Sequence, residues 1–296
     1  MVLKKLMIAF MLILYRLVSD FIKMLSLEMK KTNTVAILEK HPCFSNMAIP
    51  YGRIHLPVSP TCNISCKFCK RTINKYESRP GVAERIITPT EAVERTRQAI
   101  SKSNNLTVVG IAGPGDPLAT PYALETLKLI NKAFPHLLKC MSTNGLCVIE
   151  NYKKIISVGL DSITITVNAV DPNILIHICN QIYFKGNLRT GKDAAKILIH
   201  NQIEGIMKLS KFGIPVKVNT VLIPKINGVH ISDIAKTINK AGAVLYNIIP
   251  LISQNEFINF PNPTCMEINN ARAIAGKYIT IFKRCKQCRA DAIGVL

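Results

Sequence analysis

The 296-residue chain has no tryptophan, no low-complexity tract and no internal repeat. The last two absences exclude a disordered tract and a solenoid or propeller. Acidic side chains are scarce: Asp and Glu number 18 against 38 Lys and Arg, a formal net charge of +20. Such a field attracts anions, whether nucleic acid, phosphates, acidic partners or anionic clusters, although a lysine-rich surface alone gives the same count. No basic run is interleaved with aromatics and no RNA- or DNA-binding signature is present, so nucleic acid is not expected as a specific ligand. The amino terminus lacks a membrane span. Its apolar run, residues 6–15, has ten residues and is cut short by Arg16 and Asp20, whereas a spanning helix needs roughly twenty. No small-residue cleavage site follows. Three readings stay open for this leader, residues 1–28: an interfacial anchor helix, extra sequence upstream of a start at Met24 or Met29, or an export signal.

Hydrophobic residues make up 48% of the chain and charged residues 19%, enough for a full α/β core over residues 29–296, read as one domain. Strands and helices alternate. The stretches at 53–60, 106–111, 137–143, 162–168, 215–223 and 243–252 read as strands. Those at 88–102, 121–134, 150–159, 194–213 and 231–242 read as helices, with Thr88 or Thr90 as a cap and Gly159 and Gly213 as stops. About six βα units result, which predicts a parallel sheet curled into a partial or complete barrel, with a doubly wound open sheet as the other architecture. In a barrel the chemistry sits beyond the carboxyl ends of the strands. There the sequence has a cysteine loop, then "GPGD", "STNG" and "NAVDP".

The ten cysteines are clustered, unlike those of a small secreted disulfide scaffold, and a reducing cytoplasm suits them. Cys62, Cys66 and Cys69 stand as C-x3-C-x2-C. Zinc sites usually show two C-x2-4-C pairs, a pattern this triple does not follow. Three close thiolates suit an iron–sulfur cube with one iron left open to chelate a substrate. Cys147, Cys179 and Cys265 read as ordinary buried or loop thiols. Cys285 and Cys288 alone are also compatible with a redox pair or half a zinc site. His55 lies in an alternating strand, where a lone histidine is more often structural than a ligand. Glu77 is also read as an ion-pair partner of Arg79, and His41 as a shaper of the loop before Cys43.

The triple, with Phe68 just before its last cysteine and "GIAGPGD" after the next strand, resembles the signature of the radical SAM superfamily. The stretches "HPCFS", "ESRPGV", "AGPGDPLA", "STNGL", "NAVDP", "IPLIS" and "RCKQCRADAIG" closely resemble the NifB family, over about residues 41–294. That resemblance implies an enzyme of nitrogenase cofactor assembly. One S-adenosylmethionine (SAM) methylates a cluster sulfide. A second is cleaved to a 5′-deoxyadenosyl radical that takes hydrogen from the methyl, and the carbon ends as carbide in a cluster fused from two four-iron clusters. It implies Cys62, Cys66 and Cys69 as ligands of the SAM-binding [4Fe–4S] cluster. Phe68, Gly113, Gly115, Asp116 and Asn144 fall near SAM. Cys43, His55, Cys140, Cys285 and Cys288 fall as ligands of one or two additional [4Fe–4S] clusters, and Glu77 as a carboxylate that handles protons. The implied partners are SAM, an electron donor of ferredoxin or flavodoxin type, and cofactor carrier or acceptor proteins, since no carrier domain is appended. The implied location is cytoplasmic, with the leader as the means of any membrane association.

One departure stands out. The family usually has a further cysteine before "ESRPGV", but residues 70–76 read "KRTINKY", with Asn74 nearest the expected place. Two alternatives therefore stay open: a divergent radical SAM enzyme on another substrate, and a catalytically silent iron–sulfur scaffold.

Overall fold

Six strands of the computed structural model run parallel and lie in sequence order across one sheet: β1 (Gly52–His55), β5 (Leu106–Ile111), β6 (Leu138–Thr143), β7 (Ser162–Thr166), β10 (Val216–Leu222) and β11 (Leu245–Pro250). The structure describes residues 35, 37 and 39–296, so the leader readings, and Met24 or Met29 as starts, lie outside the described residues. Residues from Ile37 to Leu296 form one compact unit. The sheet is open between β11 and a short last strand, β12 (Ile293–Val295), which pairs antiparallel with β1. The barrel is thus partial. A doubly wound sheet would reverse its strand order midway; here each strand simply follows its predecessor.

The strands alternate in chemistry, and that alternation makes both the core and the cavity. Ile54, Val109, Ile111, Met141, Ile163, Ile165, Val216, Val218, Tyr246 and Ile248 face outward into the main apolar cluster. They meet helices α1 (Pro89–Lys102), α2 (Tyr122–Ala133), α3 (Val148–Ser157), α4 (Gly191–Lys211), α5 (Ile231–Lys240) and α6 (Cys265–Gly276). Each fully buried aliphatic side chain there contributes about 1.5–3 kcal/mol. The intervening residues, among them Arg53, His55, Cys140, Thr164, Lys217, Asn219 and Asn247, face the inside of the curl. α1 begins at the expected Thr88, whose hydroxyl takes the Glu91 amide while the Glu91 carboxylate takes the Thr88 amide.

Two small sheets stand beside the main one. β2 (Ile64–Cys66), β8 (Cys179–Phe184) and β9 (Asn187–Thr190) form one. β8 and β9 make a hairpin turning at Lys185 and Gly186, both at positive φ. β3 (Thr72–Ile73) and β4 (Val82–Ala83) form the other. Among the described residues no helix is long and apolar enough to cross a membrane.

Candidate functional site

A cavity of 360 Å³ fills the inside of the curl at the carboxyl ends of the strands. At one end stands the cysteine loop. Cys62 precedes β2, Cys66 closes it and the Cys69 amide donates to the Cys66 carbonyl. β8 holds the loop from the other side, pairing Cys66 with Cys179. All three cysteines are half-buried, line the cavity and have free thiols. Burial pushes the Cys62 thiol up to about 12 and raises Cys69. Cys66 is raised first by its hydrogen bond with the Cys179 thiol and then by burial.

The glycine-rich turn is pressed against that loop. The Gly115 amide donates to the Ser59 carbonyl and the Asp116 amide to the Thr61 carbonyl, at 2.7 and 2.8 Å. A Cβ on Gly115 would stand 1.9 Å from the Thr61 oxygen, so no other residue fits without displacing the backbone that carries Cys62. Asp116 is buried, and its carboxylate is filled by the Leu118 and Asn144 amides and the Thr143 hydroxyl. Burial raises this carboxyl against the pull of those donors. Asn144 donates through Nδ2 to Asn63 Oδ1 at 2.7 Å and to Cys62 Sγ at 3.6 Å, and its Oδ1 accepts the Leu146 amide. Asp116 and Asn144 therefore tie three strand-end loops together around Cys62. Gly113 lies against Ala290 of the carboxyl-terminal segment, and Phe68 is half-buried on the cavity wall.

The other end gathers Cys43, His55, Cys140, Cys285 and Cys288 onto the same wall. Burial pushes Cys43 up to about 12 and raises Cys140. His55 closes β1. Its Nδ1 faces the Arg289 carbonyl at 3.1 Å, which puts the ring proton there and leaves the Nε2 lone pair toward the cavity. Burial holds this imidazole down at about 4, hence neutral. Gly110 of β5 makes room for the ring: a Cβ would stand 3.0 Å from His55 Cδ2. The carboxyl-terminal segment reaches the site because β12 pairs with β1 and because Arg289 ties it down. Arg289 pairs with Asp291 and donates to the Glu77 and Asn74 carbonyls, while Asp291 takes the Glu84 amide.

Residues 56–238 match the radical SAM superfamily. A curated relative from Methanocaldococcus infernus, named FeMo cofactor biosynthesis protein NifB, is 46% identical over 263 residues, covering 88% of this chain and 87% of that protein. The chain belongs to the NifB family. Its namesake from Methanocaldococcus jannaschii is 44% identical over 270 residues, 90% of each protein. The one from Azotobacter vinelandii is 36% identical over 273 residues, 89% of this chain and 54% of that protein. Among solved structures, Streptococcus suis SuiB bound to S-adenosylmethionine shares the fold, with a TM-score of 0.53 at 14% identity over 86% of this chain and 52% of that one. This NifB-family chain is therefore a radical SAM enzyme, and the superfamily implies a SAM-binding [4Fe–4S] cluster.

The donor set fits that cluster. Cys62, Cys66 and Cys69 are soft thiol donors that line the cavity, the donor type such a cluster takes. Thiols raised this far stay protonated unless a metal charge takes the proton's place. Two expected residues, Glu77 and Gly113, are not on the cavity wall. Glu77 spends its carboxylate on Arg79, Asn74 and Thr72, and the Arg79 hydrogen bond, first of these, lowers it. Asn74 closes a turn by accepting the Tyr76 and Glu77 amides. Cys265 is exposed at the start of α6, and Cys147 accepts from Asn63 at 3.1 Å. Cys179, read from sequence as an ordinary thiol, is on the cavity wall beside Cys66. Arg53 and Lys217 drew no notice in the sequence; their signal was a charge at an inward position of an otherwise apolar strand.

Proposed function

We propose that this chain builds the iron–sulfur–carbide precursor of the nitrogenase cofactor, by SAM-dependent methyl transfer, radical hydrogen abstraction and fusion of two four-iron clusters. One observation carries the reading: thiols and an imidazole from five separated segments wall a single cavity, with the SAM-cluster triple at one end and Cys43, His55, Cys140, Cys285 and Cys288 at the other. The SAM-binding cluster, when bound, supplies the electron that cleaves the SAM sulfonium. Phe68 flanks the SAM end as an apolar wall, and Gly115, Asp116 and Asn144 fix the loop that carries Cys62. The far-end cysteines and His55 hold the two four-iron clusters as substrate, within reach of SAM chemistry and out of bulk water. The electron donor is a ferredoxin or flavodoxin type protein, and the product passes to a carrier or acceptor protein. The +20 charge favours acidic partners for both steps.

The test is iron and acid-labile sulfide per chain on anaerobically reconstituted protein, with SAM products assayed after reduction. About twelve irons are expected, together with S-adenosylhomocysteine and 5′-deoxyadenosine. About four irons, and 5′-deoxyadenosine alone, would overturn the reading. They would leave a radical SAM enzyme on another substrate, the alternative favoured by the turn at Asn74 where the family carries a cysteine. Clusters without SAM cleavage would indicate a silent scaffold.

A further inference from the structure

Three buried side chains at the far end of the cavity have unmet hydrogen-bonding or charge requirements. Lys217 is 5% exposed. Its Nζ donates to the Cys43 carbonyl at 2.6 Å and lies 4.9 and 4.8 Å from the ring centres of Phe44 and Phe282. Among the described residues it has no carboxylate partner. Arg53, also 5% exposed, donates to the Gly294 carbonyl and, at 2.8 Å, to Cys288 Sγ, but its Nε–H has no acceptor. His41 is 1% exposed. Its Nδ1 accepts the Cys43 amide at 3.1 Å, so the ring proton sits on Nε2, and that N–H also has no acceptor. All three line the cavity with Cys43, Cys140 and Cys288.

Buried donors without acceptors and a buried cation without an anion are each unfavourable. Together they ask for an anion with several acceptor atoms. The adjacent thiols narrow its chemistry: an oxyanion has no use for Cys43 and Cys140, whereas a thiolate-held cluster offers bridging sulfides as acceptors and carries negative charge. We propose that His41, Arg53 and Lys217 form a cradle of N–H donors and positive charge for an iron–sulfur cluster bound through Cys43 and Cys140. They are positioning residues, acting on the cluster's sulfurs. This rests on the reading that the far end holds clusters. Donors and charge beside a cluster favour its reduced form, so the cradle also raises its reduction potential.

The experiment uses the full chain with Cys62, Cys66 and Cys69 changed to Ala, so that all remaining iron belongs to the far end. Iron is counted, and cluster potentials are followed by electron paramagnetic resonance during reductive titration. Lys217→Met is expected to lose about four irons, and Lys217→Arg to keep them. His41 separates the roles without depending on a core lysine. His41→Asn keeps an acceptor for the Cys43 amide and loses the inward N–H, so the potential falls. His41→Gln keeps an inward N–H, so the potential stays near that of the parent. Equal potentials in the two His41 variants, or unchanged iron in Lys217→Met, overturn the cradle while the cluster reading stands. A parent without iron overturns both.

Discussion

The two ends of the cavity are built in opposite ways. At the SAM end, three cysteines come from eight consecutive residues, and other strand ends only brace them: the Gly115–Asp116 turn on the Ser59 and Thr61 carbonyls, and the Asn144 side chain on Cys62. At the far end, Cys43, His55, Cys140 and the Cys285–Cys288 pair come from four separate segments, joined by long-range pairing and by Arg289. Local construction leaves a motif that reads directly. Non-local construction leaves scattered single residues whose relation exists only once the chain has folded.

The contrast is broken most severely at Gly115. Gly115→Ala must push the Thr61 backbone away, and a displacement of about 1 Å at a reacting centre is worth about 100-fold in rate. SAM cleavage is expected to fall by at least that factor, with far-end iron retained; loss of iron at both ends would mean that the ends are not independent.

Arg289→Ala attacks the other end. It removes a buried ion pair and two hydrogen bonds, and is expected to cost about 2–3 kcal/mol in denaturant unfolding, with loss of far-end iron and retention of the SAM-end cluster. A pH series sharpens this. Burial raises the Asp291 carboxyl, but Arg289 and the Glu84 amide outweigh it and hold the group below its ordinary value. A lowered folded value means that the stability is present above the unfolded carboxylate pKa, about 3.9, and is lost as pH falls through the folded one. Unfolding midpoints should therefore drop below about pH 4 in the parent and drop less in Asp291→Asn.

The smallest effect is expected from Asn74→Cys. The side chain at 74 closes a turn and is not on the cavity wall. The change should cost about 1 kcal/mol of stability and add no iron. A gain of iron would bring the 70–84 loop into the far-end site.

The parallel sheet was legible because its strands alternate with capped helices at βα spacing, and Thr88, Gly159 and Gly213 mark boundaries by local rules. The β8–β9 hairpin escaped notice. β9 has four residues, all exposed, with no apolar alternation to mark it, and the pairing of β8 with the cysteine loop is a long-range contact of Cys66 with Cys179. Glu77 drew a proton-handling role only from the family resemblance; its other reading, an ion pair with Arg79, is the contact the structure shows, with Asn74 and Thr72 as further donors. Lys217 and Arg53 were invisible for another reason. A basic residue in a strand reads as surface until the sheet curls and turns that face inward.

The pairing of β12 with β1 also has a meaning in time. Arg53 and Gly294 are 241 residues apart in sequence. During synthesis at about 5–20 residues per second, β1 waits more than ten seconds for its edge partner, and the wall bearing Cys285 and Cys288 is the last to emerge. The far end of the cavity is therefore completed only after the end that holds Cys62, Cys66 and Cys69; the two ends form in succession.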